Sequence, residues 1–167
     1  DAYMRRALSL NGPWAANPGV TETPYLGCRR NYHIVMTDGR WNSYDSAYSA
    51  GGNVDNPSST TLPDGNTTYG SSATTANFTK IYRDGDSNTL ADWAFKSWSS
   101  PLQTSGLTGQ VSPNQEYDQA PLEETIGGVK LPKFWNPKYD PATWPHMVTF
   151  TIGFSAMATT WPGAPSI

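Results

Sequence analysis

Two β-prone runs, far apart in the sequence, constrain this chain more than anything else in it. Asn31-Tyr32-His33-Ile34-Val35-Met36 ends in an unbroken apolar stretch, the pattern of a central strand covered on both faces. Met147-Val148-Thr149-Phe150-Thr151-Ile152-Gly153-Phe154 alternates instead. Val148, Phe150, Ile152 and Phe154 share one face, and Thr149 and Thr151 the other. Helical patterns accompany the strands. Residues 3–10 put Met4, Ala7 and Leu8 on one face and stop at Asn11-Gly12-Pro13. Residues 88–98 offer Asn88 or Thr89 as a cap and Asp92 in the first turn, where the helix dipole favours a carboxylate. Leu90, Trp93, Ala94 and Trp98 form the inward stripe of that helix. Asp140-Pro141 reads as a cap followed by proline at the first position of a short helical turn. The order helix, strand, helix, strand predicts an α/β sheet whose parallel strands are joined by crossover helices. No strand precedes the opening helix, so the sheet reads as incomplete, its first strand missing.

The 167 residues fit one domain, 1–167. Only 37% are hydrophobic and 15% charged, while glycine and proline number 15 and 14. That mixture predicts a modest core and long loops. Residues 43–77 and 99–139 read as polar insertions, the first too poor in apolar residues to fold by itself. The net charge of −3, with basic residues paired only at Arg5-Arg6 and Arg29-Arg30, excludes a nucleic-acid binder. These arginines read as solvated or ion-paired surface groups. No apolar run is long enough to cross a bilayer. Low charge with abundant Ser, Thr, Asn and Trp points to a secreted chain. The single cysteine, Cys28, is either a small buried hydrophobe or the partner of a cysteine elsewhere in a longer parent.

Chemistry concentrates at Thr37-Asp38-Gly39, directly after the first strand. Open α/β sheets bind ligands beyond the carboxyl ends of their strands. A carboxylate there suits a hard cation, or caps the turn that follows. A hydrolase reading finds little support. No Gly-x-Ser-x-Gly or His-Glu-x-x-His occurs. His33 and Asp38 fall on opposite sides of the strand. His146 lies near a strand start, away from the ligand edge, and Glu123-Glu124 reads as a solvated pair. The chain is therefore expected not to be an enzyme. Trp41, Trp135, Trp144 and Trp161 fall in loop-like sequence, where they either stack on sugar rings or plug gaps beneath the loops.

Four ordered blocks carry a resemblance. They are Met4-Arg5-Arg6-Ala7-Leu8; Cys28 through Asn42; Thr89-Leu90-Ala91-Asp92-Trp93-Ala94 with Trp98; and Asp140 through Gly153. Together they resemble the PilY/PilC family of tip-associated adhesins of type IV pili. The resemblance implies a von Willebrand factor A-like domain: a doubly wound, mostly parallel sheet with long loop insertions. Such domains often hold a divalent cation through an Asp-x-Ser-x-Ser loop, a threonine and a later aspartate. Only the last maps here, onto Asp38. Asp45-Ser46-Ala47-Tyr48-Ser49 comes after Asp38 rather than before it, and Ala2 falls where the threonine is expected. The resemblance thus implies at most one divalent cation, magnesium or calcium, near Asp38; Trp41, Asn42 and Trp144 are the candidate ligand contacts of the chain. The resemblance implies adhesion or tip assembly at the bacterial cell surface. Minor pilins, the rest of a parent adhesin, and host or abiotic surface ligands are the expected partners. A carbohydrate- or surface-binding module using exposed aromatics is the alternative.

Overall fold

A computed structural model of the chain describes residues 1–37, 49–56, 60–69, 85–111, 121–126, 128–133, 136 and 138–154. In chain order they form β1 (Asn31–Thr37), β2 (Thr60–Thr61), β3 (Thr68–Tyr69), α1 (Leu90–Ser99), β4 (Glu123–Ile126), β5 (Val129–Pro132) and β6 (Met147–Gly153). β1 and β6 pair in parallel, from Asn31 opposite Met147 to Thr37 opposite Gly153. The ladder extends one bond further, with the Phe154 N–H donating to the Thr37 carbonyl at 3.2 Å.

A polar knot fixes where this ladder starts. Asp140 accepts from the Arg30 guanidinium at 3.3 Å and faces the His146 imidazole at 2.9 Å. The other ring nitrogen of His146 lies 2.7 Å from the Trp144 carbonyl. Asn31 donates across to the His146 carbonyl at 3.2 Å. The residues just before each strand are thereby tied to one another, which sets the register of a pair that no short turn specifies. Asp140 therefore does not open a helical turn; its carboxylate is taken by groups distant in sequence.

α1 begins with a capping box. The Thr89 hydroxyl accepts the Asp92 N–H at 3.3 Å, and the Asp92 carboxylate accepts the Thr89 N–H at 2.8 Å. The same carboxylate reaches past the helix to the N–H groups of Val54 and Asp55, at 2.7 and 3.2 Å. Asn88, at φ 62°, accepts from the N–H groups of Ala50 and Gly52. The helix start is thus also the anchor of the loop over 49–56. At the other end Arg5 donates to Lys96 O, Ser100 Oγ and Pro101 O at 3.2, 2.8 and 2.8 Å. A cation there complements the helix dipole. Arg29 likewise clamps the carbonyls of Pro13 and Ala16. Arg5 also pairs with Asp1 at 2.6 Å and Arg30 with Asp140 at 3.3 Å, so these two are ion-paired as the sequence suggests, whereas Arg29 is held by backbone carbonyls.

No helix forms over residues 3–10; a single turn closes over the first six residues and the chain then runs irregularly. The Met4 and Arg5 N–H groups both reach the Asp1 carbonyl. The carbonyls a longer helix would use are taken from outside: Met4 O by the Trp14 indole and the Gln103 amide, Arg6 O by Gln103. The core lies beyond α1. Phe95 and Trp98 pack with Leu62, Ala142 and Trp144. Leu90, Trp93 and Ala94 turn instead toward the sheet and are half-buried.

Both polar stretches contain hairpins that composition concealed. β2 and β3 flank a turn in which Asp64 accepts the N–H groups of Asn66 and Thr67, with Gly65 at φ 74°. This turn seats Leu62 in the core. β4 and β5 pair antiparallel, with Ile126 opposite Val129 and Gly128 at φ 80°.

Candidate interaction surface

The sheet has two unlike faces because the strand period is two. On one, His33, Met147 and Thr149 look toward α1. A cleft of about 320 Å³ lies between them and Trp93 and Ala94, with Asp1 and Ala2 also against it. His33 is exposed here rather than packed. The Lys96 ammonium sits 5.1 Å from the Trp93 ring centre. The cleft offers an imidazole and a hydroxyl on a largely apolar wall.

On the opposite face Tyr32, Ile34, Met36, Phe150 and Ile152 stand 46–68% exposed, and Phe154 beside them is 63% exposed. The Tyr32 and Phe150 rings lie 6.0 Å apart. The expectation that the first strand is covered on both faces therefore fails among the described residues: α1 supplies a layer on one side only.

Asp38, Trp41 and Asn42 lie outside the described residues, as do Trp135 and Trp161. Among the described residues no three His, Cys, Asp or Glu side chains converge on a metal site. The described residues thus offer no cation cage. Trp144, expected as a ligand contact, is 6% exposed. Its indole donates to the Trp98 carbonyl at 2.7 Å and its ring meets Trp98 edge-on at 5.7 Å. It plugs the core and is unavailable for stacking on a sugar. His146 is 3% exposed with both ring nitrogens engaged, so it cannot serve as a free base. Cys28 is exposed, which removes the buried reading of that thiol. No helix among the described residues is long and apolar enough to cross a membrane.

The acidic pair is split by its environment. Glu123 forms an exposed ion pair with Lys130. Glu124 accepts from the Asn136 amide at 2.8 Å and the Lys138 ammonium at 3.2 Å. The Asn136 bond, then the Lys138 bond, hold the Glu124 carboxyl below the usual carboxylate range. A depressed folded-state pKa stabilises above the unfolded value, and that contribution is lost as pH falls through the folded one. A carbon-13 NMR titration is expected to place the Glu124 midpoint below the ordinary value of about 4.3. Asn136→Ala should move it back up. A wild-type midpoint at or above the ordinary value would contradict the assignment.

The sequence comparisons are specific. The chain is 42% identical over 165 residues to the "Type IV pilus biogenesis factor PilY1" of Pseudomonas aeruginosa strain PAK. It is 41% identical over 167 residues to the protein of that name from strain PAO1, and 35% over 172 residues to that from strain UCBPP-PA14. These alignments cover 95–96% of this chain but only 12–13% of the relatives, so the chain spans about an eighth of their length. No family model matches the chain. No solved structure matches it.

Proposed function

Taking as premise that the chain is homologous to one segment of the type IV pilus biogenesis factor PilY1, we propose that it is a non-catalytic module of a pilus biogenesis factor. The module acts at the bacterial cell surface, at the pilus tip, through protein–protein contact that supports tip assembly or adhesion. Identity of 42% along nearly the whole chain carries this reading. The parallel β1–β6 pair with α1 against it supports a von Willebrand factor A-like sheet. Minor pilins and the rest of the parent polypeptide are the partners this reading names. Asp38 is the residue this reading assigns to a divalent cation.

The reading is tested by restoring, to cells lacking the parent factor, a copy without residues 1–167, with the amount of protein matched by immunoblot. Surface pili, counted by electron microscopy, should fall to the level of cells with no factor. Unchanged piliation together with unchanged attachment would contradict the proposal. A parallel copy carrying Asp38→Ala addresses the cation: equal attachment with and without a chelator in both copies would dismiss it.

A further inference from the structure

Asn66-Thr67-Thr68 fits the pattern of an N-glycosylation acceptor: an asparagine, a hydroxyl residue two places on, and no proline between them. Asn77-Phe78-Thr79 fits it too but lies outside the described residues, and Asn56-Pro57-Ser58 is barred by its proline. The fold displays Asn66 in a particular way. It stands at the tip of the β2–β3 hairpin, whose stem is held on both sides. Leu62 is seated in the core, and its N–H donates to the Thr67 carbonyl at 2.8 Å. The Gly65 N–H donates back to the Leu62 carbonyl at 2.9 Å. The Asp64 carboxylate accepts the N–H groups of Asn66 and Thr67 at 3.0 and 2.9 Å, and the Thr67 hydroxyl at 2.6 Å. Thr67 is thereby half-buried with its hydroxyl engaged, while Asn66 and Thr68 on either side of it are both exposed. Among the described residues the Asn66 side-chain amide is held by one bond, from Nδ2 to the Asp64 carbonyl at 3.2 Å, long for its type. A Cβ placed on Gly65 would meet no atom within 4 Å, so the space beside the acceptor is open. Turn formation accounts for Asp64 and Gly65, but it asks nothing of the Asn66 amide or the Thr68 hydroxyl.

We propose that Asn66 is a modification site and carries an N-linked glycan. The donor is a saccharide activated as a pyrophosphate ester, on a lipid or on a nucleotide. Asn66 Nδ2 attacks the anomeric carbon of that saccharide. A carbon–nitrogen bond forms as the carbon–oxygen bond to the pyrophosphate breaks. The pyrophosphate departs with the bonding electrons, and one amide proton passes to a base of the transferring enzyme. The hydroxyl two residues on, at Thr68, is the second element that enzyme reads. A rigid stem, an outward amide and open space beside it suit a bulky hydrophilic group at a surface turn. The sugar covers a polar loop tip, the kind of place where proteases nick a chain. This inference stands or falls separately from the pilus role.

The experiment uses the full polypeptide carrying this chain, purified from the cells that make it. After protease digestion, mass spectrometry with electron-transfer fragmentation assigns sugar to individual residues. The expected result is sugar on Asn66. An oligosaccharide of fixed composition identifies a lipid-borne donor, and a single hexose identifies a nucleotide sugar; either supports the proposal. Asn66→Gln should abolish the modification. Thr68→Val keeps the asparagine and suits a strand, yet it should also abolish the modification, whereas Thr68→Ser should retain it. Both positions are exposed, so these substitutions leave the fold in place. A bare Asn66, sugar on Thr67 or Thr68 instead, sugar at Asn77 alone, or sugar persisting on Asn66 in Thr68→Val would each overturn the proposal.

Discussion

Asp92→Ala is expected to be the most destabilising single substitution at the helix start, at about 3–5 kcal/mol, because it removes a buried carboxylate that three backbone donors share. The Asp92 side chain is fully buried. One carboxylate oxygen accepts the Thr89 N–H, and the other accepts the N–H groups of Val54 and Asp55. Alanine removes the acceptor these three N–H groups share, two of them half-buried and that of Asp55 fully buried. It also dissolves the capping box and frees the loop over 49–56 from the helix. Asp92→Asn isolates the parts. Its amide oxygen can still serve one of the two sets of donors, but its NH₂ then faces the other. An intermediate loss of about 2–3 kcal/mol is expected. Chemical denaturation of the full polypeptide, followed by the fluorescence of Trp93 and Trp98, measures both. Equal stability of wild type and Asp92→Ala would show that the carboxylate does not join loop to helix.

The second large effect lies in the core. Trp144→Ala is expected to cost about 3–5 kcal/mol, the usual range for deleting a large buried aromatic. The indole fills the space between Trp98, Leu62 and Ala142 and satisfies the Trp98 carbonyl. Trp144→Phe keeps most of the edge-to-face packing and loses the N–H. Its expected cost is about 1–2 kcal/mol, close to one hydrogen bond plus a small void. A ring displayed for ligand stacking would behave otherwise. Alanine would then leave stability unchanged and weaken ligand binding. Thermal or chemical melts of the two variants decide between these roles.

What local sequence contains, the sequence reveals here. Asn88 and Thr89 are both cap candidates in the sequence, with Asp92 in the first turn, and the structure selects Thr89. The β-branched and aromatic runs over β1 and β6 needed no tertiary information. Reading failed where a distant partner decided the outcome. The turn at Met4–Arg6 does not extend because Trp14 and Gln103 occupy its carbonyls. Asp140 has the look of a helix cap, yet Arg30, 110 residues away, shares its carboxylate with His146. Trp144 stands beside Pro145 in sequence that reads as loop, but the irregular backbone there runs under α1 and buries it. The β2–β3 hairpin was hidden by low complexity. Its one local signal, Pro63-Asp64-Gly65-Asn66, is the Asx turn itself. Of the site residues, Asp38, Trp41 and Asn42 fall outside the described residues. The exposed apolar face was partly legible. Val148, Phe150, Ile152 and Phe154 were recognisable as one side of a strand, but not which side would lack a layer.

The most direct test of the central claim is the position of this segment on the cell. An antibody raised against residues 1–167, detected with gold particles on cells and on sheared pili, reads it by electron microscopy. Gold at pilus tips, absent from cells lacking the parent gene, is the result predicted. Gold confined to the cell interior, or never associated with pili in a strain that makes both, would contradict it.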